Sequence, residues 1–302
     1  MAVHDSEVVD APGPGEPWTT LRLILWSAEY LEGKGVEGAR LDAEHLIAEA
    51  LGKERLELYL EFDRPLADEE LANFKPLLLR RGHREPLQYI LGRTGFRELE
   101  LKTDRRALIP RPETEVLVGE VLAWAADRGD VLSAMDVGTG TGAIALSLAT
   151  EGSFGQVVGT DTSQEALDLA RENAGAAGVG AELELRVGSL FEPLQSGECF
   201  DLVVSNPPYV AASDAPNLAP EITEWEPSGA LFGGTSGLDV IRTLVLDAPD
   251  RLKEGGLLAL EVGDGQAEEV ADLIRQRQAF DEPWIRRDLA GRPRIVMAAR
   301  RE

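Results

Sequence analysis

Residues 205–209, with the sequence Ser-Asn-Pro-Pro-Tyr, follow an apolar run and have side chains suited to binding a planar amino group. Pro207 and Pro208 lack backbone N–H donors and have a fixed φ, which leaves carbonyl oxygens without partners. Asn206 adds an amide carbonyl, and Tyr209 adds a flat aromatic face. Such oxygens can hold both hydrogens of a conjugated –NH2 group while the ring packs on its plane. The segment predicts a site for an amide or aromatic amine; the alternative is a turn that only ends a strand.

A second motif, Asp-Val-Gly-Thr-Gly-Thr-Gly at 136–142, stands where a strand is expected to turn into a helix. Glycines there let a ligand approach the backbone and allow a positive φ. The spacing differs from the dinucleotide pattern G-x-G-x-x-G, and no Lys-Ser/Thr follows, which excludes a P-loop. Asp161, about 20 residues further on, is placed to accept from ribose hydroxyls. The motif predicts a bound nucleoside such as S-adenosylmethionine; the alternative is a tight turn without a ligand.

The two motifs together predict methyl transfer to a conjugated nitrogen. An amide or aromatic amine nitrogen is a poor nucleophile because its lone pair is delocalised. Oxygens that hold both of its hydrogens orient that lone pair, and attack on a sulfonium methyl needs mainly this alignment. No strong general base is required. The residues expected to bind the substrate and to act in catalysis are Asn206, Pro207, Pro208 and Tyr209.

The elements that position both motifs alternate between strand and helix from residue 134 onward, which favours parallel pairing with right-handed crossovers. The last two strands are joined by a turn at 290–293, and residues 237–253 are predicted to form a helix. The fold class is therefore α/β, a doubly wound sheet with both motifs at the carboxyl edge of its strands. The predicted strands are Ala134–Val137, Gln156–Thr160, Leu183–Val187, Asp201–Ser205, Leu257–Val262, Trp284–Leu289 and Arg294–Ala299.

The residues before the sheet predict a flexible tail over 1–17 and a small helical domain over 18–85. The first helix is expected to begin at Thr19 and Thr20, which can cap it after the apolar Trp18. A second helix covers Leu41–Leu51 and stops at Gly52, and a third ends near Gly82. The apolar face of the first helix is expected to contain Leu21, Leu25, Ala28 and Leu31, and the third is marked by Leu71, Phe74, Leu77 and Leu78.

A connector over 86–112 is expected between this helical domain and a catalytic domain over 113–302. Residues 98–102 alternate in polarity and predict a strand, which could pair with Ala107–Ile109 as a hairpin. Pro110 and Pro112 then stiffen a turn before a helix that begins near Glu113.

Composition excludes several classes of function. The chain of 302 residues has a formal net charge of −24, which disfavours nonspecific binding to phosphate backbones. Cys199 is the only cysteine and the three histidines are scattered, so neither a disulfide nor a metal site is expected. The first residues lack the features of a signal or transit peptide, and no run of about 18 apolar residues predicts a membrane span. We expect a cytoplasmic protein.

The sequence resembles a known family. The combination of Asp-Val-Gly-Thr-Gly-Thr-Gly with Asn-Pro-Pro-Tyr is typical of class I methyltransferases that act on amino nitrogens. Glu-Pro-Leu-Gln-Tyr-Ile-Leu-Gly at 85–92 and Leu-Ile-Pro-Arg-Pro-Glu-Thr-Glu at 108–115 resemble the release-factor glutamine methyltransferases, the PrmC or HemK family. The resemblance extends from about Trp18 to the C-terminus and includes the helical domain.

The resemblance implies a seven-stranded class I methyltransferase fold, S-adenosylmethionine as donor, and N5-methylation of the glutamine in the Gly-Gly-Gln motif of bacterial class 1 peptide chain release factors. It implies that Asp161 binds the ribose, that residues 206–209 hold the glutamine amide, and that the helical domain helps to dock the release factor. The donor-binding residues it implies are Gly138, Thr139, Gly140, Thr141, Gly142, Asp161, Ser189, Leu190 and Asn206.

The segment expected to lie near the adenine has more than one interpretation. Many relatives have an acid where this chain has Ser189, and a hydroxyl accepts less strongly than a carboxylate from an adenine amino group. Leu190 and Phe191 could pack on the adenine, and plain core packing is an equal alternative for both.

Three other functions remain as alternatives. A sister enzyme that methylates a glutamine of a ribosomal protein would use the same amide-binding turn. An adenine-N6 nucleic-acid methyltransferase would also use it, but would need phosphate contacts and a means of flipping the base. The densest basic spot, Arg80, Arg81 and Arg84, is better explained as a solvated helix end. A donor-binding protein without catalysis is disfavoured by the intact Asn-Pro-Pro-Tyr.

Overall fold

The structure is a computed structural model that describes residues 13, 16–129 and 131–302. The predicted flexible tail at 1–17 lies for the most part outside the described residues. Within the described ranges, no helix is both long and apolar enough to cross a membrane. The chain divides into two compact units, Met1–Gly92 and Arg93–Glu302.

The first unit is helical. Its helix α1 begins after Thr19, whose hydroxyl oxygen accepts from the backbone N–H of Arg22 at 3.3 Å, and α2 ends at Gly52 in the left-handed conformation. The helices are α1 (Thr20–Gly33), α2 (Ala39–Leu51), α3 (Arg55–Leu60), α4 (Asp68–Gly82) and α5 (Leu87–Leu91). The three predicted helices are confirmed; α3 and α5 are only six and five residues long and show too little periodicity to be predicted.

The buried face of α1 differs from the prediction. Leu21 and Leu25 are only half-buried, whereas Leu23 and Ile24 are almost fully buried. The helix packs against α2 and α4 along a stripe that continues through Ala28 and Leu31. The sequence could not distinguish these faces because α1 is apolar around much of its first two turns.

The second unit opens with a hairpin of β1 (Arg93–Phe96) and β2 (Leu99–Lys102), which are antiparallel. The predicted pairing of residues 98–102 with Ala107–Ile109 was therefore wrong. The sequence at 97–98 makes a tight turn back onto β1, with Arg97 at a positive φ of 52°, whereas residues 107–109 run without regular structure. Helix α6 (Pro112–Ala126) follows close to its predicted start near Glu113, but Pro112 belongs to its first turn and not to the turn before it.

Seven strands in the described part of the second unit form one sheet, in the order β5-β4-β3-β6-β7-β9-β8. All pairs are parallel except β7 with β9 and β8 with β9, so the doubly wound sheet and its antiparallel end are confirmed. The strands are β3 (Leu132–Val137), β4 (Phe154–Asp161), β5 (Leu183–Val187), β6 (Phe200–Ser205), β7 (Leu252–Glu261), β8 (Trp284–Arg287) and β9 (Pro293–Ala299).

Helices cover both faces of this sheet with separate apolar clusters. One cluster includes Leu117 of α6 and Ile144 of α7, and the other includes Ile241 of α11 and Val270 of α12. The remaining helices are α7 (Ala143–Glu151), α8 (Gln164–Ala177), α9 (Pro220–Thr223), α10 (Ser228–Leu231), α11 (Asp239–Asp247) and α12 (Ala267–Arg277), with 3-10 turns at Ala212–Asn217 and Ala248–Asp250.

The helix predicted over 237–253 is too long. Helix α11 ends at Asp247, a short 3-10 turn contains Pro249, and Lys253 already belongs to β7. Pro249 ends the regular helix because it cannot donate a backbone hydrogen bond in its interior.

Candidate active site

A cavity of about 580 Å³ opens at the carboxyl edge of the sheet in the second unit. This volume lies in the range of small-molecule sites, and the location is where open α/β sheets bind ligands. Its walls come from the loops after β3, β4, β5 and β6, from residues 106–108 and 227–230, and from α11.

The glycine loop after β3 forms one wall of the cavity. Gly138 and Gly140 line it and have positive φ values of 76° and 56°. A Cβ built on Gly138 would meet no atom within 4 Å, so it would project into open space that a ligand can occupy. The loop thus offers backbone to the cavity, and a side chain at Gly138 would both strain the loop and take up ligand space.

Three other loop residues predicted to bind the donor lie outside the cavity wall. Thr139 is buried and its hydroxyl donates to Asp136 at 2.6 Å. Thr141 is buried, and its carbonyl accepts from the side-chain amide of Asn173 at 2.9 Å. Gly142 faces inward, where a Cβ would lie 3.2 Å from Leu146. These residues shape the loop because their polar groups are used inside the fold.

The carboxylate of Asp136 supports the loop from below. It is fully buried, and one oxygen accepts from Thr139 and from the backbone N–H of Ala145 at 3.2 Å. Its other oxygen has no hydrogen-bond partner among the described residues. Burial raises the pKa of Asp136 from 3.8 to about 7, although these two donors oppose the shift.

Asp161 lines the cavity at the end of β4, as the sequence indicates. One carboxylate oxygen accepts from the backbone N–H of Gly140 at 3.0 Å, and the other accepts from that of Ser163 at 2.9 Å. Each oxygen retains a further lone pair that a ligand hydroxyl can use. The carboxylate therefore holds the glycine loop in place and remains available to the cavity.

The loop after β5 places Leu190 and Phe191 in different environments, which the sequence alone could not predict. Leu190 lines the cavity, whereas Phe191 is 6% exposed and belongs to an apolar cluster of the sheet. Leu190 has a positive φ of 49°, an unusual conformation for a leucine that surrounding structure must maintain. Ser189 also lines the cavity, and its backbone N–H donates to the carboxylate of Glu192 at 3.2 Å.

The turn after β6 brings Asn206, Pro207 and Pro208 to the cavity wall. In the described part of the chain, no backbone donor reaches the carbonyl oxygen of either proline. The side-chain nitrogen Nδ2 of Asn206 donates to the hydroxyl of Thr114 at 3.0 Å. With its nitrogen so engaged, the Asn206 oxygen is left as an acceptor.

Tyr209 lies just outside this wall. Its ring packs against the apolar cluster beneath α11 and α12, with the guanidinium of Arg294 5.9 Å from the ring centre. Its carbonyl accepts from the side-chain amide of Gln266 at 2.9 Å, and its hydroxyl donates to Glu261 at 3.4 Å. Burial is the main cause that raises the pKa of Tyr209 to about 12. The residue is therefore neutral at ordinary pH.

Glu261 and Thr114 were not identified from the sequence. Glu261 ends β7 and is 1% exposed; it accepts from the hydroxyl of Thr114, in the first turn of α6, at 2.7 Å. Burial raises the pKa of Glu261 from 4.5 to about 7, against the effects of the Thr114 hydrogen bond and of Arg294. An acid that ends an apolar strand, Leu-Leu-Ala-Leu-Glu, was the available signal.

An ion pair between the partly exposed Arg111 and the buried Glu226 joins two segments beside the cavity wall. The Nη2 atom of Arg111 lies 2.5 Å from an oxygen of Glu226, and the other oxygen of Glu226 accepts from the backbone N–H of Ile109 at 3.4 Å. Arg105 adds a guanidinium 3.9 Å from the ring centre of Trp225. These contacts tie residues 105–111 to residues 225–226, and so fix the segments that supply Leu108 and Pro227 to the wall.

Comparisons with known proteins agree with this architecture. A family model described as the PrmC N-terminal domain matches residues 22–92, and one described as a methyltransferase domain matches residues 129–228. A methyltransferase structure from Pyrococcus furiosus is similar in fold, with a TM-score of 0.52 and 18% identity, over 68% of this chain and 90% of that one. At this identity the likeness establishes the fold.

Curated relatives match over nearly the whole chain. The release factor glutamine methyltransferase of Geobacter sulfurreducens is 46% identical over 281 residues, which are 93% of this chain and 96% of that protein. The release factor glutamine methyltransferase of Moorella thermoacetica is 40% identical over 284 residues, 94% of this chain and 99% of that protein. This chain, with its helical unit and its Asn-Pro-Pro-Tyr turn at the edge of a methyltransferase sheet, belongs to the release factor glutamine methyltransferase family.

Proposed function

We propose that this protein transfers a methyl group from S-adenosylmethionine to N5 of the glutamine in the Gly-Gly-Gln motif of bacterial class 1 peptide chain release factors, in the cytoplasm. The observation that carries the proposal is full-length similarity to proteins named for this activity. The acceptor groups of Asn206 and Pro207 on the cavity wall support it, because they suit a primary amide.

The cavity has features that fit S-adenosylmethionine. Its volume of about 580 Å³ suits a nucleoside of this size, and the open space above Gly138 allows close approach to the backbone. Asp161 can accept from ribose hydroxyls, and Leu190 offers an apolar surface to the adenine. When bound, the donor supplies an electrophilic methyl group attached to a good leaving group. These residues would orient it toward the turn after β6.

The turn after β6 would prepare the glutamine amide for attack. The oxygen of Asn206 and the carbonyl oxygen of Pro207 can accept the two hydrogens of the substrate –NH2 group, whereas the carbonyl oxygen of Pro208 lies against Gly233. Two held hydrogens restrict the rotation of the amide and direct its lone pair. Since alignment is the main requirement, the residues on the wall need not include a general base. The role of Tyr209 in this scheme is to hold the turn through its hydroxyl and carbonyl contacts.

A protein acceptor fits the charge of this chain better than a nucleic acid does. Two arginines of the basic spot in the helical unit are already paired: Arg80 with Glu85 at 2.7 Å, and the buried Arg81 with Asp42 at 2.7 Å. Arg81 is thus not solvated, which corrects the expectation for this helix end. With a net charge of −24 and these two cations already neutralised, the adenine-N6 alternative loses support.

We assign docking of the release factor to the helical unit, residues 18–85 and their continuation to Gly92. The support is the match of residues 22–92 to the PrmC N-terminal domain. The names of the relatives favour a release factor over a ribosomal protein as the substrate.

The test is methyl transfer from labelled S-adenosylmethionine to a purified class 1 release factor. A second release factor, with the glutamine of its Gly-Gly-Gln motif changed to alanine, serves as the matched control. Label on the wild-type factor alone is the expected result. Label on DNA or on a ribosomal protein, with neither release factor labelled, would overturn the proposed substrate while leaving the fold unaffected.

A further inference from the structure

Four side chains form a continuous hydrogen-bonded chain that begins at Asn206 on the cavity wall and continues behind it. The Oγ1 atom of Thr114 lies 3.0 Å from Nδ2 of Asn206 and 2.7 Å from Oε2 of Glu261. The second carboxylate oxygen of Glu261 is 3.4 Å from the hydroxyl of Tyr209. Glu261 and Thr114 are 1% and 4% exposed, so water does not compete for these contacts.

The direction of the hydrogen bonds follows from the donors and acceptors available. An ionised carboxylate can only accept, so the single hydrogen of the Thr114 hydroxyl points to Glu261. The Thr114 oxygen can then only accept toward Asn206, and the Asn206 atom facing it must be the N–H donor. The amide orientation of Asn206, which atom positions alone do not decide, is thereby fixed.

We propose that Glu261 and Thr114 are positioning residues that hold the Asn206 amide with its oxygen toward the substrate and restrain Tyr209 at the other end of the turn. The inference rests on the proposed function, because it is the substrate amide that needs the Asn206 oxygen. A reversed Asn206 amide would present N–H groups to the N–H groups of the substrate. Both would be donors, and the substrate would lose an acceptor.

Protonation of Glu261 would release this constraint. A protonated carboxyl can donate to Thr114, whose hydroxyl is then free to donate to the oxygen of a reversed Asn206 amide. The groups that face Glu261 are Thr114 and Glu113 of α6, Tyr209 of the turn, and Arg294 of β9. Arg294 favours the carboxylate, whereas burial and Glu113 favour the protonated form. The turnover number should therefore fall on the acid side of neutrality.

The first experiment compares Thr114→Val with Thr114→Ser. Valine keeps the shape but removes the hydroxyl, and serine restores the hydroxyl without the methyl group. We expect Thr114→Val to lower kcat about tenfold, because the Asn206 oxygen is then no longer held toward the substrate amide. Thr114→Ser should recover most of this loss. The affinity for S-adenosylmethionine, measured by calorimetry, should stay within about twofold because Thr114 does not line the cavity.

A matched control is Thr150→Val. Thr150 is an exposed residue of α7 whose hydroxyl also makes a hydrogen bond, to the carbonyl of Leu146, without a link to the turn. It should leave kcat unchanged. Thermal unfolding would show whether Thr114→Val folds poorly, and Glu261→Gln provides a second variant in that case. Glu261→Gln should lower kcat and remove the decline of kcat below neutral pH.

An NMR measurement reports the orientation without any turnover. The side-chain NH2 signals of Asn206, assigned by their loss in Asn206→Ala, should show one hydrogen protected from exchange with water in the wild-type protein. That protection should disappear in Thr114→Val and persist in Thr114→Ser and Thr150→Val. Unchanged Asn206 signals together with wild-type kcat in Thr114→Val would overturn the inference.

The two proposals fail in different ways. If the wild-type protein methylated no release factor, the proposed function would fail. The Asn206 signals would still show whether Thr114 determines the orientation of the Asn206 side-chain amide. If the wild-type protein methylated the release factor while Thr114→Val and Glu261→Gln both kept its kcat and pH profile, only the positioning role would fail.

Discussion

Two buried carboxylates support the two walls of the cavity in different ways. Asp136 lies under the glycine loop and Glu261 behind the turn after β6, and burial raises the pKa of each to about 7. Asp136 accepts from Thr139 and Ala145, which are three and nine residues away along the chain. Glu261 accepts from Thr114 and Tyr209, which are 147 and 52 residues away. One carboxylate shapes its own loop, and the other joins distant segments.

The difference predicts separate tasks for the two walls, with the glycine loop binding the donor and the turn aligning the substrate. A loop stabilised by its own neighbours can form a preset backbone surface for a donor, and Gly138 and Gly140 face the cavity there. A turn held by α6 and β7 can be aligned with respect to the whole sheet, as transfer of a group requires. Substitutions in the glycine loop should therefore change the dissociation constant of the donor, and substitutions at the turn should change kcat.

The largest expected effect is that of Asn206→Ala. Loss of the side-chain oxygen removes an acceptor from the substrate amide, and we expect kcat to fall about 100-fold, the size found when one preorganised group is removed. The affinity for S-adenosylmethionine, followed by calorimetry, should change far less. Asn217→Ala is the control, since Asn217 is exposed on the 3-10 turn that follows. Full turnover by Asn206→Ala would refute the proposal that the turn after β6 aligns the substrate while the glycine loop binds the donor.

Gly138→Ala tests the other wall. The added methyl group would project into the cavity and strain a backbone at positive φ, so we expect the donor affinity to weaken about tenfold, or ~1.4 kcal/mol. Gly178→Ala is a close control: its φ is 70°, a Cβ there would also meet nothing within 4 Å, and it ends α8 away from the cavity. Both variants should lose thermal stability. A similar loss of donor affinity in both would show that strain, rather than cavity space, is responsible.

Asp136→Asn should reduce the dependence of protein stability on pH. The pKa of Asp136 is raised from 3.8 to about 7 in the folded protein, so the folded chain binds more protons than the unfolded chain between these values. The free energy of unfolding therefore falls as pH rises from about 4 to about 7, and the variant should flatten this dependence in urea titrations.

Asp136→Asn and Glu261→Gln should affect different steps, donor binding in the first case and turnover in the second. We expect Asp136→Asn to weaken donor binding about fivefold, or ~1 kcal/mol, because it disturbs the hydrogen bonds of the loop. Glu261→Gln should instead lower kcat. If both variants changed the same constant, the two carboxylates would have equivalent roles.

The smallest effect is expected for Ser189→Ala. Ser189 lines the cavity, where its hydroxyl can accept only weakly from an adenine amino group. We expect the dissociation constant of S-adenosylmethionine to rise at most about threefold, below ~0.7 kcal/mol. Ser196→Ala, an exposed change in the loop before β6, is the calorimetric control. A loss above tenfold would mean that the Ser189 hydroxyl contributes more to donor binding than its chemistry suggests.

The same contrast explains what the sequence could predict. The glycine loop was predicted because it lies within one strand, turn and helix, whose geometry is local, and Asp161 was predicted because it ends the next strand of a parallel sheet. The Asn-Pro-Pro-Tyr turn was identified because prolines leave acceptors unpaired wherever the chain goes. The strands of the sheet were found because they are short apolar runs separated by helical segments.

The parts that were missed depend on tertiary contacts. Thr139 and Thr141 match the loop motif, but whether a side chain turns toward the ligand or the interior is decided by partners such as Asp136 and Asn173. Phe191 and Leu190 are adjacent and similar in polarity, and only packing assigns one to the core. Glu261 and Thr114 share no sequence pattern, since the sheet and α6 bring them together.

The pairing of β9 has a consequence for how this enzyme is made. β9 lies between β7 and β8, and it places Ile295 beside Glu261. A ribosome synthesises this strand after every other strand of the sheet, and until it emerges β7 has an open edge that other chains could join. A chain that is cut before Pro293 would still contain Thr114 and Glu261, but Glu261 would lose its strand partner Ile295 and the nearby charge of Arg294. Premature stop codons late in the gene should therefore produce aggregation-prone chains that lack activity.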